Sequence, residues 1–198
     1  SLSLSANTTA SNCTAVGYNA LGSNTTGTPN NAFGAFALDA NTTGSDNVAF
    51  GNNALGVSTT GSSNTAVGVQ SLAANTTAST NTALGYESLT ALTTGNSNVA
   101  IGYRALKTDT LGDRNVAVGN EALATQNFSS STDSYNTAVG YQAGNDVTTG
   151  EQNTLIGGLA GDALTNADRN VAVGYNALTA ETLGERNVAI GYASLANQ

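Results

Sequence analysis

Asn64-Thr65-Ala66-Val67-Gly68-Val69-Gln70-Ser71-Leu72 is followed 17 residues later by Asn81-Thr82-Ala83-Leu84-Gly85-Tyr86-Glu87-Ser88-Leu89, and then by Asn98-Val99-Ala100-Ile101-Gly102-Tyr103-Arg104-Ala105-Leu106. The unit Asn-x-Ala-apolar-Gly begins at Asn30, Asn47, Asn64, Asn81, Asn98, Asn115, Asn136, Asn153, Asn170 and Asn187, with a first copy at Cys13. Every spacing is 17 residues except that from 115 to 136, which is 21. With the Asn as position 0, position 4 is Gly in all eleven copies, so one backbone geometry is demanded at every turn. Position 8 is Leu in nine copies, Gly144 and Gly161 being the exceptions, and position 12 is Thr in nine of the ten complete copies. Ser3 to Asn12 fits the second half of a further unit.

A 17-residue period is too short for helix-pair repeats, which need roughly 33 residues, but it suits one coil of a β-solenoid. Positions 0 to 4 form a run that is apolar at position 3 and stops at Gly; positions 8 to 13, such as Leu55 to Thr60, form a Thr-rich run closed by Gly61. The expectation is an all-β, parallel β-solenoid (β-roll) over 1–198 as a single domain. It has about eleven coils of two short strands each, assembles as a trimer, and forms a rod on the order of 50 Å long.

Composition excludes several classes of function. The chain has 198 residues, no His and one Cys, so an imidazole base, a zinc cluster and an internal disulfide are all ruled out. We therefore expect no enzyme, no catalytic residues, no metal site and no cofactor. Five Lys plus Arg against 13 Asp plus Glu gives a formal charge of -8, the wrong sign for nucleic acid or an anionic membrane surface. No stretch approaches the roughly 20 apolar residues of a membrane span, and residues 1 to 30 lack a basic n-region and an apolar h-region. The chain starts at Ser1, which is expected of a processed chain or a slice of a longer one.

Strand alternation puts positions 1 and 3 on one face, read here as the solenoid core, closed from the other side by positions 8, 10 and 12. Position 2 then falls on the opposite face and is Ala in ten of eleven copies, beside the Gly of position 4. A strand apolar on both sides is covered on both sides. Ala49, Ala66, Ala83, Ala100, Ala117, Ala138, Ala172 and Ala189 are accordingly expected to form a self-association face, most economically in a homotrimer around a shared axis. The plainer alternative is that Ala and Gly only permit tight turning within one chain.

The ten Asn at position 0 are expected to form a structural ladder, hydrogen-bonded from coil to coil. Cys13 takes the end of that ladder as a free structural thiol. Tyr86, Tyr103, Tyr175 and Tyr192, at position 5, line one edge and are candidate ligand contacts for sugar rings, with packing between subunits as the competing role. Glu87, Arg104 and Glu121 fall on consecutive coils as a surface charge ladder. Asn-x-Thr/Ser triplets at Asn7, Asn12, Asn24, Asn41, Asn75 and Asn127 mostly follow from repeat copying. The four-residue insertion, in the turn at about 126–135, should bulge outward, and Phe128 and Tyr135 complete the candidate ligand contacts.

NTAVGVQSL (Asn64 to Leu72), NVAIGYRAL (Asn98 to Leu106) and NTLIGGLAG (Asn153 to Gly161) resemble repeats of bacteriophage tail-fibre proteins and, at a shorter period, the head repeats of trimeric autotransporter adhesins. The resemblance spans nearly the whole chain. It implies a trimeric, extracellular, cell-surface or virion fibre, used as a rigid stalk or for adhesion. Because the 17-residue period departs from the adhesin heads, their handedness and turn geometry do not carry over. The expected function is a non-enzymatic structural or adhesive fibre module whose partner is itself. The alternatives are an end-to-end filament, motivated by ends that stop within a repeat, and a solenoid that binds cell-surface glycan.

Overall fold

The structure is a computed structural model and describes residues 2–180 and 182–196. Its strands are β1 (Thr14–Val16), β2 (Asn30–Phe33), β3 (Asn47–Phe50), β4 (Thr65–Val67), β5 (Thr82–Leu84), β6 (Val99–Ile101), β7 (Gly112–Asp113), β8 (Val116–Val118), β9 (Thr132–Asp133), β10 (Thr137–Val139), β11 (Thr154–Ile156), β12 (Val171–Val173) and β13 (Val188–Ile190). Eleven of them form one parallel sheet in chain order, and β7 and β9 pair separately. Each strand lies one repeat from its neighbour with no slip, so Ala66 is beside Ala83 and Ala83 beside Ala100. The chain is therefore a β-solenoid of about ten turns, advancing about 4.8 Å per turn.

Among the described residues, the second strand expected in each coil is absent: segments such as Leu55 to Thr60 are turns and bends. The reason is backbone conformation. Three positions per coil take left-handed φ, for example Ser97 at 60°, Arg104 at 56° and Leu106 at 49°. Such residues cannot extend a strand, and each costs about 1–2 kcal/mol relative to a right-handed conformation. They are held by bonds between coils: the Arg104 amide donates to the Tyr86 carbonyl at 2.9 Å and the Leu106 amide to that of Ala122 at 3.0 Å. Along the turn segment, the Thr hydroxyls at position 12 donate to the next coil's Thr carbonyl, as from Thr59 to Thr76 at 3.1 Å and from Thr93 to Thr110 at 3.0 Å.

The assignment of the two strand faces must be reversed. Ala49, Ala66, Ala83, Ala100, Ala117, Ala138, Ala172 and Ala189 are fully buried in the chain's own core, so they form no self-association face. Positions 1 and 3 point outward, with Val16, Phe50, Leu84 and Ile156 exposed. A 17-residue circuit is too narrow to hold large side chains from both walls. The core takes its bulk from Leu at position 8 (Leu55, Leu72, Leu89, Leu106) and leaves room only for Ala opposite. Each buried Leu contributes about 1.5–3 kcal/mol.

The glycine at position 4 is fixed by the same compactness. At Gly102, φ is +138° and an added Cβ would lie 2.3 Å from the Gly119 carbonyl oxygen of the next coil. No side chain fits between backbones that close.

Candidate functional faces

The asparagines of position 0 are buried from Asn30 to Asn170, and Asn187 is partly buried. Each carboxamide serves two coils. Asn98 Oδ1 accepts the Asn115 amide at 2.9 Å, and Asn98 Nδ2 donates to the Gly112 carbonyl at 2.9 Å, fourteen residues along its own coil. Side chains also meet directly, Asn64 Nδ2 reaching Asn47 Oδ1 at 3.2 Å. These bonds satisfy buried backbone groups that a corner without regular pairing leaves open. Both ends of the amide are engaged, which leaves little of it to offer a ligand. Cys13, half-buried, is a free thiol whose Sγ lies 3.5 Å from the Gly27 carbonyl oxygen.

A second buried column stands at position 11, between positions 10 and 12 that alternation assigns to the core. Asn24, Asn41, Ser58, Asn75, Leu92, Asp109, Gln126, Val147 and Leu164 are all fully buried there. Asn41 Nδ2 donates to Asn24 Oδ1 at 2.7 Å, but Asn41 Oδ1 and Ser58 Oγ, on adjoining coils, have no partner. Asp109 accepts from the Gly112 amide at 2.9 Å and from Gln126 Nε2 at 2.6 Å, while Gln126 Oε1 accepts from Asn136 at 2.9 Å. Burial pushes the Asp109 carboxyl above its ordinary range, and these hydrogen bonds oppose the shift only in part. No constant residue marks this column in the sequence.

The insertion folds back onto the rod. Phe128 is buried, which removes it as a surface contact and corrects its assignment as a ligand residue; an aromatic ring in a solvated turn is better placed against the core. Thr132–Asp133 pairs in parallel with Gly112–Asp113, and Ser131 donates to Asp113 Oδ2 at 2.9 Å. Arg114 pairs with Asp133 and lies 5.7 Å from the centre of the Tyr135 ring, which is exposed. Phe128 and Tyr135 therefore do not share a surface.

Tyr86, Tyr103, Tyr175 and Tyr192 are exposed, but they stack on one another. Tyr86 and Tyr103 lie 5.6 Å apart at an interplanar angle of 11°, Tyr175 and Tyr192 5.9 Å apart at 19°, and Arg104 sits 4.8 Å from the centre of the Tyr103 ring. In each pair, one face of each ring is turned to its partner. At position 6, Arg104 donates to Glu87 at 2.8 Å, with Lys107 at 3.4 Å. A hydrogen bond with Tyr86, aided by Arg104 and Lys107, holds the Glu87 carboxyl below its usual range. Such pairs at the solvent boundary contribute little to stability.

Among the described residues there is no ligand-sized cavity, no group of three or more His, Cys, Asp or Glu placed to hold a metal, and no helix long and apolar enough to cross a membrane. No family model, no curated protein and no solved structure matches the chain.

Proposed function

We propose that this chain is a non-enzymatic shaft module of an extracellular or virion fibre, a rigid spacer that associates with copies of itself, as a homotrimer in the simplest assembly. The observation that carries the reading is the unbroken, in-register eleven-stranded parallel sheet. Every coil is bonded to the next through strand, Asn, Gly and Thr columns, so the rod bends little and its length scales with the number of repeats. The extracellular or virion setting draws its support from the likeness of NTAVGVQSL and NVAIGYRAL to tail-fibre repeats. A glycan platform draws less, because each tyrosine pair turns one face of each ring to its neighbour and no cavity lies beside the rings among the described residues.

Coil deletion tests the shaft directly. Removing 64–97 joins Ser63 to Asn98 with the ladder in phase. The shortened chain should fold with an unchanged far-ultraviolet spectrum, and spin labels at Thr14 and Thr154 should come about 10 Å closer. A chain that fails to fold, or keeps the parent distance, contradicts a modular spacer.

A further inference from the structure

The outward strand face carries an inference that deepens the shaft reading and rests on it. None of the five basic and 13 acidic residues stands at position 1, 3 or 5 of any coil, although the chain carries a formal charge of -8. What stands there is Thr, Val and one Asn at position 1, only Val, Phe, Leu and Ile at position 3, and chiefly Tyr at position 5. Phe33, Phe50, Leu84 and Ile156 are exposed on this face, and Phe33 stacks on Phe50 with ring centres 5.6 Å apart. A solvated sheet face is normally polar, and contiguous apolar patches beyond a few hundred Å² mark interaction surfaces.

We infer that this charge-free face is the contact between copies of the chain, which lie side by side with the outward strand faces of their solenoids packed together. Size supports that occupant. A band about 50 Å long and about 14 Å wide covers roughly 700 Å² per copy, close to the ~800 Å² each partner gives to a stable interface. Charge supports it as well. Copies of one acidic chain repel unless their charges are kept off the contact, and here the acidic residues are placed at other positions. The in-register rows of position 3 also repeat once per coil, the same spacing that a second copy presents along the contact.

Sedimentation equilibrium on three chains tests this. Leu84→Glu, Ile101→Glu and Val118→Glu together place charges at the centre of the face without entering the core. Ser129→Glu with Ser130→Glu adds charge on the exposed insertion, away from it. The parent and the Ser129/Ser130 variant should sediment as one closed oligomer. The triple variant should be a folded monomer of 19.6 kDa, its association weakened ~100-fold or more. A monomeric parent at micromolar concentration, a triple variant of parental mass, or an open ladder of masses that survives the triple substitution overturns the inference. Should the glutamates unfold the chain, Leu84→Thr with Ile101→Thr and Val118→Thr must loosen the oligomer with the β-signal intact, and undiminished association again overturns it. Coil deletion reads the shaft independently, since a monomeric rod still shortens by whole repeats.

Discussion

The coils from Asn64 to Ser97 and those from Asn136 to Arg169 build the same core by different residues. In the first pair, Ala66 and Ala83 face Leu72 and Leu89. In the second, position 8 is Gly144 and Gly161, and the missing bulk returns from the opposite wall as Leu155, the single departure from Ala at position 2. A Cβ at Gly144 would lie 2.6 Å from Leu155 Cδ1, and one at Gly161 would lie 2.7 Å from Leu155 Cδ2. One Leu side chain thus reaches into the space beside both glycines. The bulk at the middle of the circuit can be supplied from either wall, with Val147 and Leu164 also lining the space beside the two glycines. Glycine also takes the left-handed φ of 60° at 144 and 58° at 161 without the penalty that Leu meets in other coils.

The largest effect should be blind to that difference. Gly68→Ala and Gly157→Ala both drive a Cβ to 2.3 or 2.4 Å of the next coil's carbonyl oxygen, at φ of +137° and +133°. Each should cost about 4 kcal/mol or more in urea unfolding, equally in both regions. Leu155→Ala comes next, at about 4 kcal/mol, because neither glycine can fill the void. Gly144→Leu alone should cost about 1–3 kcal/mol by overpacking. Gly144→Leu, Leu155→Ala and Gly161→Leu combined recreate a regular pair, and should return to within about 1 kcal/mol of the parent. A triple variant as unstable as the sum of its parts breaks the comparison.

Smaller effects sharpen it along the position 11 column. Ser58→Asn lets a new amide reach the unpartnered Asn41 Oδ1, and should stabilise by about 1 kcal/mol, raising Tm by about 2–4 °C. Asp109 has a folded pKa above its unfolded value, so the folded chain holds its proton to higher pH. Stability should therefore fall as pH rises from the ordinary carboxylate range through the raised value, then level off. Subtracting the profile of Asp109→Asn isolates that slope, and identical profiles would show that burial does not perturb this carboxyl.

The period made the solenoid legible, since 17 residues and a glycine in every copy admit one coil and little else. The strand faces were misread, because alternation separates Ala66 from Val67 without saying which side is inside. Bulk suggested that the valine was buried. What decides the matter is the width of the circuit, set by left-handed corners at residues such as Arg104 and Leu106 that carry no signature of their own. The buried column from Asn24 to Leu164 was hidden for a related reason: Asn, Ser, Asp, Gln, Val and Leu share burial there without sharing size or chemistry. Phe128 looked exposed because an insertion suggests a bulge, and its four extra residues instead pair back onto the coil before.

Thiol labelling reads the orientation of the strand most directly. On the chain carrying Leu84→Glu, Ile101→Glu and Val118→Glu, with Cys13→Ser as background, Ala66→Cys and Val67→Cys differ by one residue and by one face. The expected result is a Val67→Cys thiol that reacts at the rate of a free thiol, and an Ala66→Cys thiol that stays silent until the chain is unfolded. A reactive thiol at 66 with a protected one at 67 would contradict a core sealed within a single chain.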